Sequence, residues 1–141
     1  MKMPSGKTSN DLPYMNIEEI CKYCILFPGT VECFPFDLDT LVMKTGGKIW
    51  AVVPLEKPGI IIVKCDPELA IELRERYQGI NPAWHFNKKH WNQIDTTGSV
   101  PQHIIKQSLA HSYSLIVSSL PRKIRTQLNI TAQNVTTILY P

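Results

Sequence analysis

The stretch TLVMKTGGKIWAVV, residues 40–53, decides the fold. Two runs of mostly apolar and β-branched residues, Thr40 to Lys44 and Lys48 to Val53, are separated by Gly46-Gly47. Adjacent glycines adopt the positive φ angles of a tight hairpin turn at no steric cost. The stretch therefore predicts a β-hairpin with Lys44 and Lys48 on either side of its tip, and with Trp50 on the same face as Lys48.

The residues after this hairpin extend the sheet and add a helix. Pro58-Gly59 predicts a turn, and the run Ile60 to Val63 is typical of a central strand that is buried on both faces. Asp66 and Pro67 then have the character of an N-cap and a first-turn residue. The buried side of this helix is predicted to comprise Leu69, Ala70, Leu73 and Tyr77.

An earlier helix is predicted before the hairpin. Asn16 and Glu19 have the spacing of a capping box, and Pro28-Gly29 would end the helix. The apolar stripe comprises Ile17, Ile20, Cys21, Cys24 and Ile25. Cys21 and Cys24 form a CxxC pair, but a structural zinc site needs four ligands, and Cys33 and Cys65 stand alone. We therefore expect buried thiols and no metal or cofactor.

A long helix is predicted from Ser99, which forms a second capping-box pattern with Gln102, to about Ser118. Its apolar side is expected to include Ile105, Leu109, Ile116 and Leu120. His111 and Ser112 are adjacent in sequence, so their side chains point about 100° apart on a helix and do not pair as a catalytic dyad.

A short helix beginning at Pro121 would follow, carrying Arg122 and Lys123. The absence of a recognisable catalytic set predicts a protein that is not an enzyme. Residues 129–141 show no clear periodicity and are expected to form a C-terminal tail.

The stretch WHFNKKHW, residues 84–91, combines cations with aromatic rings. Trp84 to Phe86 and Trp91 to Asp95 are predicted as strands around a turn that Asn87 opens. Lysines bind phosphates and rings stack on bases, so Lys88, Lys89, His90 and Trp91 are candidates for a nucleic-acid surface. The alternative is a hairpin whose aromatics are core and whose lysines form a solvated turn.

Composition limits the protein class. The 141 residues predict one domain, with residues 1–14 as a flexible arm and Met15 as a candidate start. Residues 1–83 carry nine Lys or Arg against eleven Asp or Glu, whereas residues 84–141 carry six against one. This asymmetry favours a polyanionic partner. No apolar run has the length of a membrane span, so we expect a cytoplasmic protein with reduced cysteines and no membrane partner.

Seven short blocks resemble the MmcQ/YjbR family of small bacterial proteins, over about residues 15–128. They are Phe27-Pro28-Gly29, Phe34-Pro35-Phe36-Asp37, Gly46-Gly47-Lys48, Lys64-Cys65-Asp66-Pro67-Glu68, Asn87-Lys88-Lys89-His90-Trp91, His111-Ser112-Tyr113 and Leu120-Pro121. The resemblance implies an α+β, CyaY- or frataxin-like fold with an antiparallel sheet packed by helices. It also implies two hairpins that form a double-wing DNA-binding motif, here the Lys44 to Lys48 and Asn87 to His90 hairpins. Frataxins bind iron through an acidic first helix, whereas the first helix here offers only Glu18 and Glu19, with Lys22 nearby.

The expected function is that of a nucleic-acid-binding domain, with DNA favoured over RNA. Its expected contact residues are Lys44, Lys48, Lys88, Lys89, His90, Trp91, Arg122 and Lys123. The alternative is a protein-interaction or small-ligand module in which Trp84, Trp91 and the acidic loop around Asp37 line a pocket.

Overall fold

The computed structural model describes the backbone of residues 14–139 and side chains as far as residue 135. The predicted arm, apart from Tyr14, lies outside these described residues. The elements are α1 Ile17–Ile25, β1 Thr30–Cys33, β2 Thr40–Thr45, β3 Lys48–Pro54, β4 Ile60–Lys64, α2 Pro67–Arg76, β5 Ile80–Pro82, β6 Trp91–Asp95, α3 Gln102–Ser118, α4 Arg122–Gln127 and α5 Ala132–Leu139. An antiparallel sheet packed by helices confirms the predicted α+β fold.

The six strands form one sheet in the order β1-β2-β3-β4-β6-β5. The predicted glycine hairpin joins β2 to β3, with Gly46 at φ +60° and Gly47 at φ +81°. As predicted, β4 is an inner strand whose Ile61, Ile62 and Val63 are all buried. Every neighbouring pair is antiparallel, so the sheet has two distinct ends.

One end, called the basic end below, carries the β2–β3 turn, the end of β4 at Lys64, and residues 83–90 between β5 and β6. The pairings Thr45↔Lys48 and Lys64↔Trp91 lie there. The other end, called the acidic end, carries loops 34–39 and 55–59. The pairings Thr40↔Pro54 and Ile60↔Asp95 lie at that end.

Helices α1 and α3 cover one face of the sheet with the main core. An aromatic group of Phe27, Trp50 and Tyr113 packs under the β2–β3 hairpin, with ring centroids 4.7 to 5.9 Å apart. A smaller apolar cluster lies on the other face, where the sheet is covered by no helix of the described chain. Its buried members are Val42, Val52, Ile62 and Ala83.

The predicted second hairpin is wrong in its first strand. Residues 84–86 form no strand, and β5 is Ile80–Pro82, which pairs with β6 instead. Ala83 N donates to Trp91 O and Phe86 N to Ala83 O, and His85 has a positive φ of 69°, so the chain turns away from the sheet. Trp84 to His90 thus belong to a loop, called loop 83–90 below.

The predicted N-terminal caps of α1 and α2 are confirmed, but the predicted buried face of α1 is too wide. Asn16 and Glu19 form the predicted capping box, and Asp66 Oδ2 accepts from Leu69 N. In α1 only Ile20 and Cys24 are buried, while Ile17 and Ile25 are 41% and 46% exposed. The predicted stripe is wider than the buried face, since Ile25 lies about 100° around the helix from Cys24.

Helix α3 begins at Gln102 with Pro101 as N-cap, so the capping role predicted for Ser99 is wrong. The buried Gln102 side chain donates to the Tyr14 carbonyl instead. Residues 129–139, for which no element was predicted, contain α5, whose Val135 packs against the main core. None of the helices within the described residues has the length and apolar character that crossing a membrane requires.

Candidate nucleic-acid interface

The sheet topology brings the two predicted lysine pairs to the same end of the molecule. The midline of the β2–β3 hairpin and that of the β5–β6 hairpin are three strand spacings apart. At the usual distance between neighbouring strands, this separation is about 14 Å. Because β4 between them also ends in Lys64, the basic end presents cations across five strands.

Lys44 and Lys48 lie on opposite faces of their hairpin. Lys48 Nζ donates to Ser119 Oγ at 2.9 Å, which ties it to the end of α3. Lys44 pairs with Ile49 and is half-buried on the face without helices. The two lysines therefore flank the tip as predicted but extend to different sides of the sheet.

Trp50 is part of the core rather than of the surface beside Lys48. Alternation from Lys48 turns this ring toward the helices, and the register shift between Met43 and Lys44 leaves Ala51 facing the same core. The side chain is fully buried, and its Nε1 donates to Thr45 Oγ1 at 3.0 Å. The predicted shared face of Trp50 and Lys48 is therefore confirmed, but it is the face that the helices cover, and only the exposed Lys48 reaches the surface.

Loop 83–90 is held in one conformation by hydrogen bonds. Asn87 Oδ1 accepts from Lys89 N at 3.0 Å, and Asn87 O accepts from the amides of His90 and Trp91. His90 O in turn accepts from Cys65 N at 2.7 Å, which links the loop to the end of β4. The loop therefore presents its side chains from a fixed backbone.

Arg74 of α2 is the main side chain that anchors this loop. Its Nη2 donates to Lys88 O and, at 3.2 Å, to Trp91 O, while its Nε donates to Asn92 Oδ1 at 2.7 Å. Sequence analysis missed this residue, because its partners lie 14 to 18 residues further along the chain. The only available signal was that Arg74, unlike Arg76, has no acidic residue four positions before it on the helix.

The exposed ring of the loop is Trp84, not Trp91. Trp84 is 63% exposed, and Lys88 Nζ lies 5.3 Å from its ring centroid, within the range of a cation–π contact. Trp91 is half-buried in the smaller cluster, with its ring 5.3 Å from that of Phe86. Trp91, a candidate stacking ring on sequence grounds, is therefore only partly exposed, and His90 is also half-buried.

Helix α4 adds cations beside the β2–β3 turn. A Cβ at Gly46 would lie 2.7 Å from Leu120 Cδ2, and one at Gly29 would lie 3.0 Å from Leu128 Cβ. Leu120 and Leu128 thus pack directly against the backbone of the two glycines. This packing holds both ends of the α4 segment at the basic end. The side chains of Arg122 and Lys123 are exposed there.

The charges at the two ends of the sheet differ in sign. Within the described residues, an ion pair joins Arg76 to Glu72 at 3.3 Å. No carboxylate of these residues pairs with the lysines of the basic end, which are Lys44, Lys48, Lys88 and Lys89. The acidic end carries Asp37, Asp39 and Glu56. A hydrogen bond with Asp39, together with repulsion from that carboxylate, raises the pKa of Glu56.

The remaining candidate chemistry is used to hold the fold. Ser112 is fully buried, donates to Trp50 O and accepts from Lys64 N at 2.9 Å. Its neighbour His111 accepts from Asp66 N through Nε2, and burial lowers the pKa of this imidazole. Tyr113 donates to Pro28 O. Burial raises the pKa of the Cys24 thiol, which lies in the core, and that of the half-buried Cys21.

Comparison with known sequences identifies relatives over most of the chain. A family model described as YjbR matches residues 26–115. The uncharacterized protein YjbR of Escherichia coli strain K12 is 32% identical over 118 residues, covering 81% of this chain and 100% of its own length. The uncharacterized protein YbdF of Escherichia coli O157:H7 is 30% identical over 111 residues, covering 77% and 90%.

Solved structures show the same fold. The crystal structure of Deinococcus radiodurans protein DR2400, with domain DUF419, has a TM-score of 0.79 and 31% identity, and covers 86% of this chain and 93% of that one. A Pseudomonas syringae protein has a TM-score of 0.63 and 26% identity, and covers 72% and 99%. The similarity thus extends over whole domains, and the names of these relatives state no activity.

Proposed function

The chain belongs to the YjbR family, and we propose that it is a non-enzymatic nucleic-acid-binding domain that uses its basic end as the binding surface. DNA is the proposed partner. The observation that carries this proposal is the sheet topology, in which the β2–β3 turn and loop 83–90 lie at the same end of the sheet, on either side of β4. The two hairpins would act as the two wings of a double-wing motif.

The charge distribution supports a phosphate backbone as the ligand. Lys88 and Lys89 are exposed on loop 83–90, while Lys48 and Lys44 flank the neighbouring turn about 14 Å away. Duplex DNA carries one charge per about 1.7 Å of helix axis, so both hairpins meet several phosphates along one duplex. Turn lysines reach the backbone more readily than base edges, which implies weak sequence preference.

Trp84 gives the same surface a group that contacts bases or sugars. Its ring is exposed next to Lys88, so one loop offers a stacking surface and a phosphate contact together. His90 and Trp91 support this loop from its partly buried side. Arg122 and Lys123 extend the positive surface from the β2–β3 turn along α4.

The salt dependence of binding tests the proposal. If four lysines each neutralise one phosphate, affinity plotted against salt on logarithmic axes should have a slope of about −3 to −4. Replacing Lys88 and Lys89 by Ala should reduce the slope by about two units and leave the fold intact. The control variant K57A/R76A removes the same charge near the acidic end and should keep the original slope.

A protein-interaction module is the competing function, and it rests on the acidic end. Phe34, Phe36 and Leu38 are exposed there beside carboxylates. The pocket expected from Trp84, Trp91 and the acidic loop does not form, since these groups lie at opposite ends of the sheet. Absence of DNA binding at about 50 mM salt, or an unchanged slope in K88A/K89A, would replace the nucleic-acid proposal with this one.

A further inference from the structure

A small cavity lies behind loop 83–90, between helices α2 and α3 and strands β4 and β6. Its volume is about 80 Å³. Val63, Leu69, Leu73 and Ile104 supply an apolar wall. An engineered apolar cavity of about 150 Å³ holds benzene, so this cavity has room for a smaller organic molecule.

One polar group inside this cavity lacks a protein partner. Asn92 is 1% exposed, and its Oδ1 accepts from Arg74 Nε at 2.7 Å. Its Nδ2 has no hydrogen-bond partner among the described residues. A buried donor without an acceptor costs free energy, which a bound acceptor atom recovers. The cavity therefore combines an apolar wall with a buried N–H donor that has no acceptor among the described residues.

The other polar side chains of the wall carry no formal charge near neutral pH. Burial lowers the pKa of His111, which favours the neutral imidazole, and the Asp66 N–H donated to Nε2 places the ring proton on Nδ1. Burial raises the pKa of the Cys65 thiol to about 11, so this group stays protonated. Lys64 also borders the cavity, but strand alternation directs its side chain to the opposite face from Val63.

We propose that this cavity binds a small neutral carbonyl compound, a ketone or an amide, whose oxygen accepts from Asn92 Nδ2. The aliphatic part of the molecule would contact Leu69, Leu73 and Ile104. A carboxylate is excluded because the wall offers it only neutral polar groups, which leave most of its charge uncompensated. This inference concerns a site behind loop 83–90 and does not depend on nucleic-acid binding.

Acetone is a suitable test molecule because it has one acceptor oxygen and no donor. In a titration followed by nuclear magnetic resonance, acetone should cause saturable shifts of the Asn92 side-chain amide and the Leu73 methyl groups. Acetate, which is equal in size but charged, should cause none. Equal shifts with acetate, or no saturable shift with acetone, would overturn the proposal.

The variant Asn92→Asp tests the contribution of the Nδ2 donor alone. Its carboxylate keeps the acceptor for Arg74 and replaces the free donor by a second acceptor. Acetone affinity should fall at least tenfold, or about 1.4 kcal/mol, while Arg74 keeps its partner. Unchanged affinity in this variant would show that Asn92 does not hold the ligand.

A second variant covers the case in which Asn92→Asp fails to fold. Ser108 borders the cavity from α3, and Ser108→Leu should fill it and abolish the acetone shifts. Ser114→Leu, on an exposed position of the same helix, is the control and should leave them unchanged. A crystal structure determined with a 100-fold molar excess of acetone over protein gives a further test. If a water molecule still accepted the hydrogen bond from Asn92 Nδ2, the proposal would be overturned.

Discussion

The basic end and the acidic end of one sheet are built in different ways. At the basic end, loop 83–90 is fixed by Arg74, by Cys65 and by its own Asn87, and the β2–β3 turn rests on buried Trp50. At the acidic end, Phe36 and Leu38 are 68% and 86% exposed. A fixed backbone lowers the ordering cost of binding. Because hydrogen bonds such as Leu55 N to Asp39 O also hold the acidic loops, the sign of its charge is what makes the basic end the proposed site for a rigid polyanion.

The largest expected effect comes from the support of the basic end. Trp50→Ala removes a fully buried ring, its contacts with Phe27 and Tyr113 and its hydrogen bond to Thr45. The free energy of unfolding should fall by about 3–5 kcal/mol. Urea denaturation followed by circular dichroism measures this loss.

Phe36→Ala is the matched aromatic deletion at the acidic end. Because its ring is mostly exposed, stability should change by no more than about 0.5 kcal/mol. Similar losses in the two variants would contradict the difference in construction between the two ends.

The anchor of loop 83–90 should give the next largest effect. Arg74→Ala leaves Lys88 O, Trp91 O and Asn92 Oδ1 without their donor, and should cost about 2–3 kcal/mol of stability. The amides of the loop should also exchange with solvent faster. Hydrogen exchange read by mass spectrometry, combined with DNA-binding measurements, would test both consequences.

Arg76→Ala is the control for the anchor, two residues along the same helix. Arg76 makes one exposed ion pair, with Glu72, so its loss should cost only about 0.3–0.5 kcal/mol. If Arg74→Ala left loop exchange unchanged, the backbone hydrogen bonds of Asn87 alone would hold the loop.

The two tryptophans of the basic end should separate binding from stability. Trp84→Ala should weaken single-stranded DNA binding by about 1–3 kcal/mol, because an exposed stacking ring is lost. Its effect on stability should be small, since the ring contacts mainly His85 and Lys88. Fluorescence anisotropy and thermal melting of the same samples measure the two quantities.

Trp91→Ala should show the reverse pattern. Its ring packs in the smaller cluster with Phe86, so stability should fall by about 2 kcal/mol, roughly half the cost of deleting a fully buried ring. A binding defect without a stability loss in this variant would return Trp91 to the role of stacking platform.

Local signals in the sequence predicted most of the fold. Gly46-Gly47, the Asn16 capping box and the Asp66 cap each depend on residues within four positions of one another, and all three are present. The strand predicted at residues 84–86 failed because the loop conformation depends on Arg74 and Cys65, which are distant in sequence. The missed exposure of Trp84 has the same cause.

In the candidate site too, features that depend on local sequence were predicted, and features that depend on distant contacts were not. Residue chemistry identified Lys88 and Lys89, because two exposed lysines in a turn can be recognised without a fold. It did not show which face of the hairpin the helices would cover, so the burial of Trp50 beneath Tyr113 was not predicted. Asn92 was not identified either, because a donor without a partner is visible only when its surroundings are known.

The smallest expected effect tests whether the two ends act independently. The raised pKa of Glu56 means that the folded protein binds this proton more tightly than the unfolded chain. The resulting stabilisation is present below the ordinary pKa of Glu and is lost as pH rises through the raised value. Glu56→Gln keeps a donor for Asp39 without the charge, so its melting temperature should slightly exceed that of the wild type at neutral pH. The difference should shrink as the pH is lowered to about 4.

The same variant should leave DNA affinity unchanged at physiological salt. Strand β3 runs from one end of the sheet to the other over seven residues, a length of about 20 Å or more, whereas charges at 0.15 M salt are screened over about 8 Å. Removing a negative charge beside Asp39 therefore should not alter the potential at Lys88. An affinity increase that persists at this salt concentration would mean that DNA approaches the acidic end as well, and the basic end would no longer be the whole binding surface.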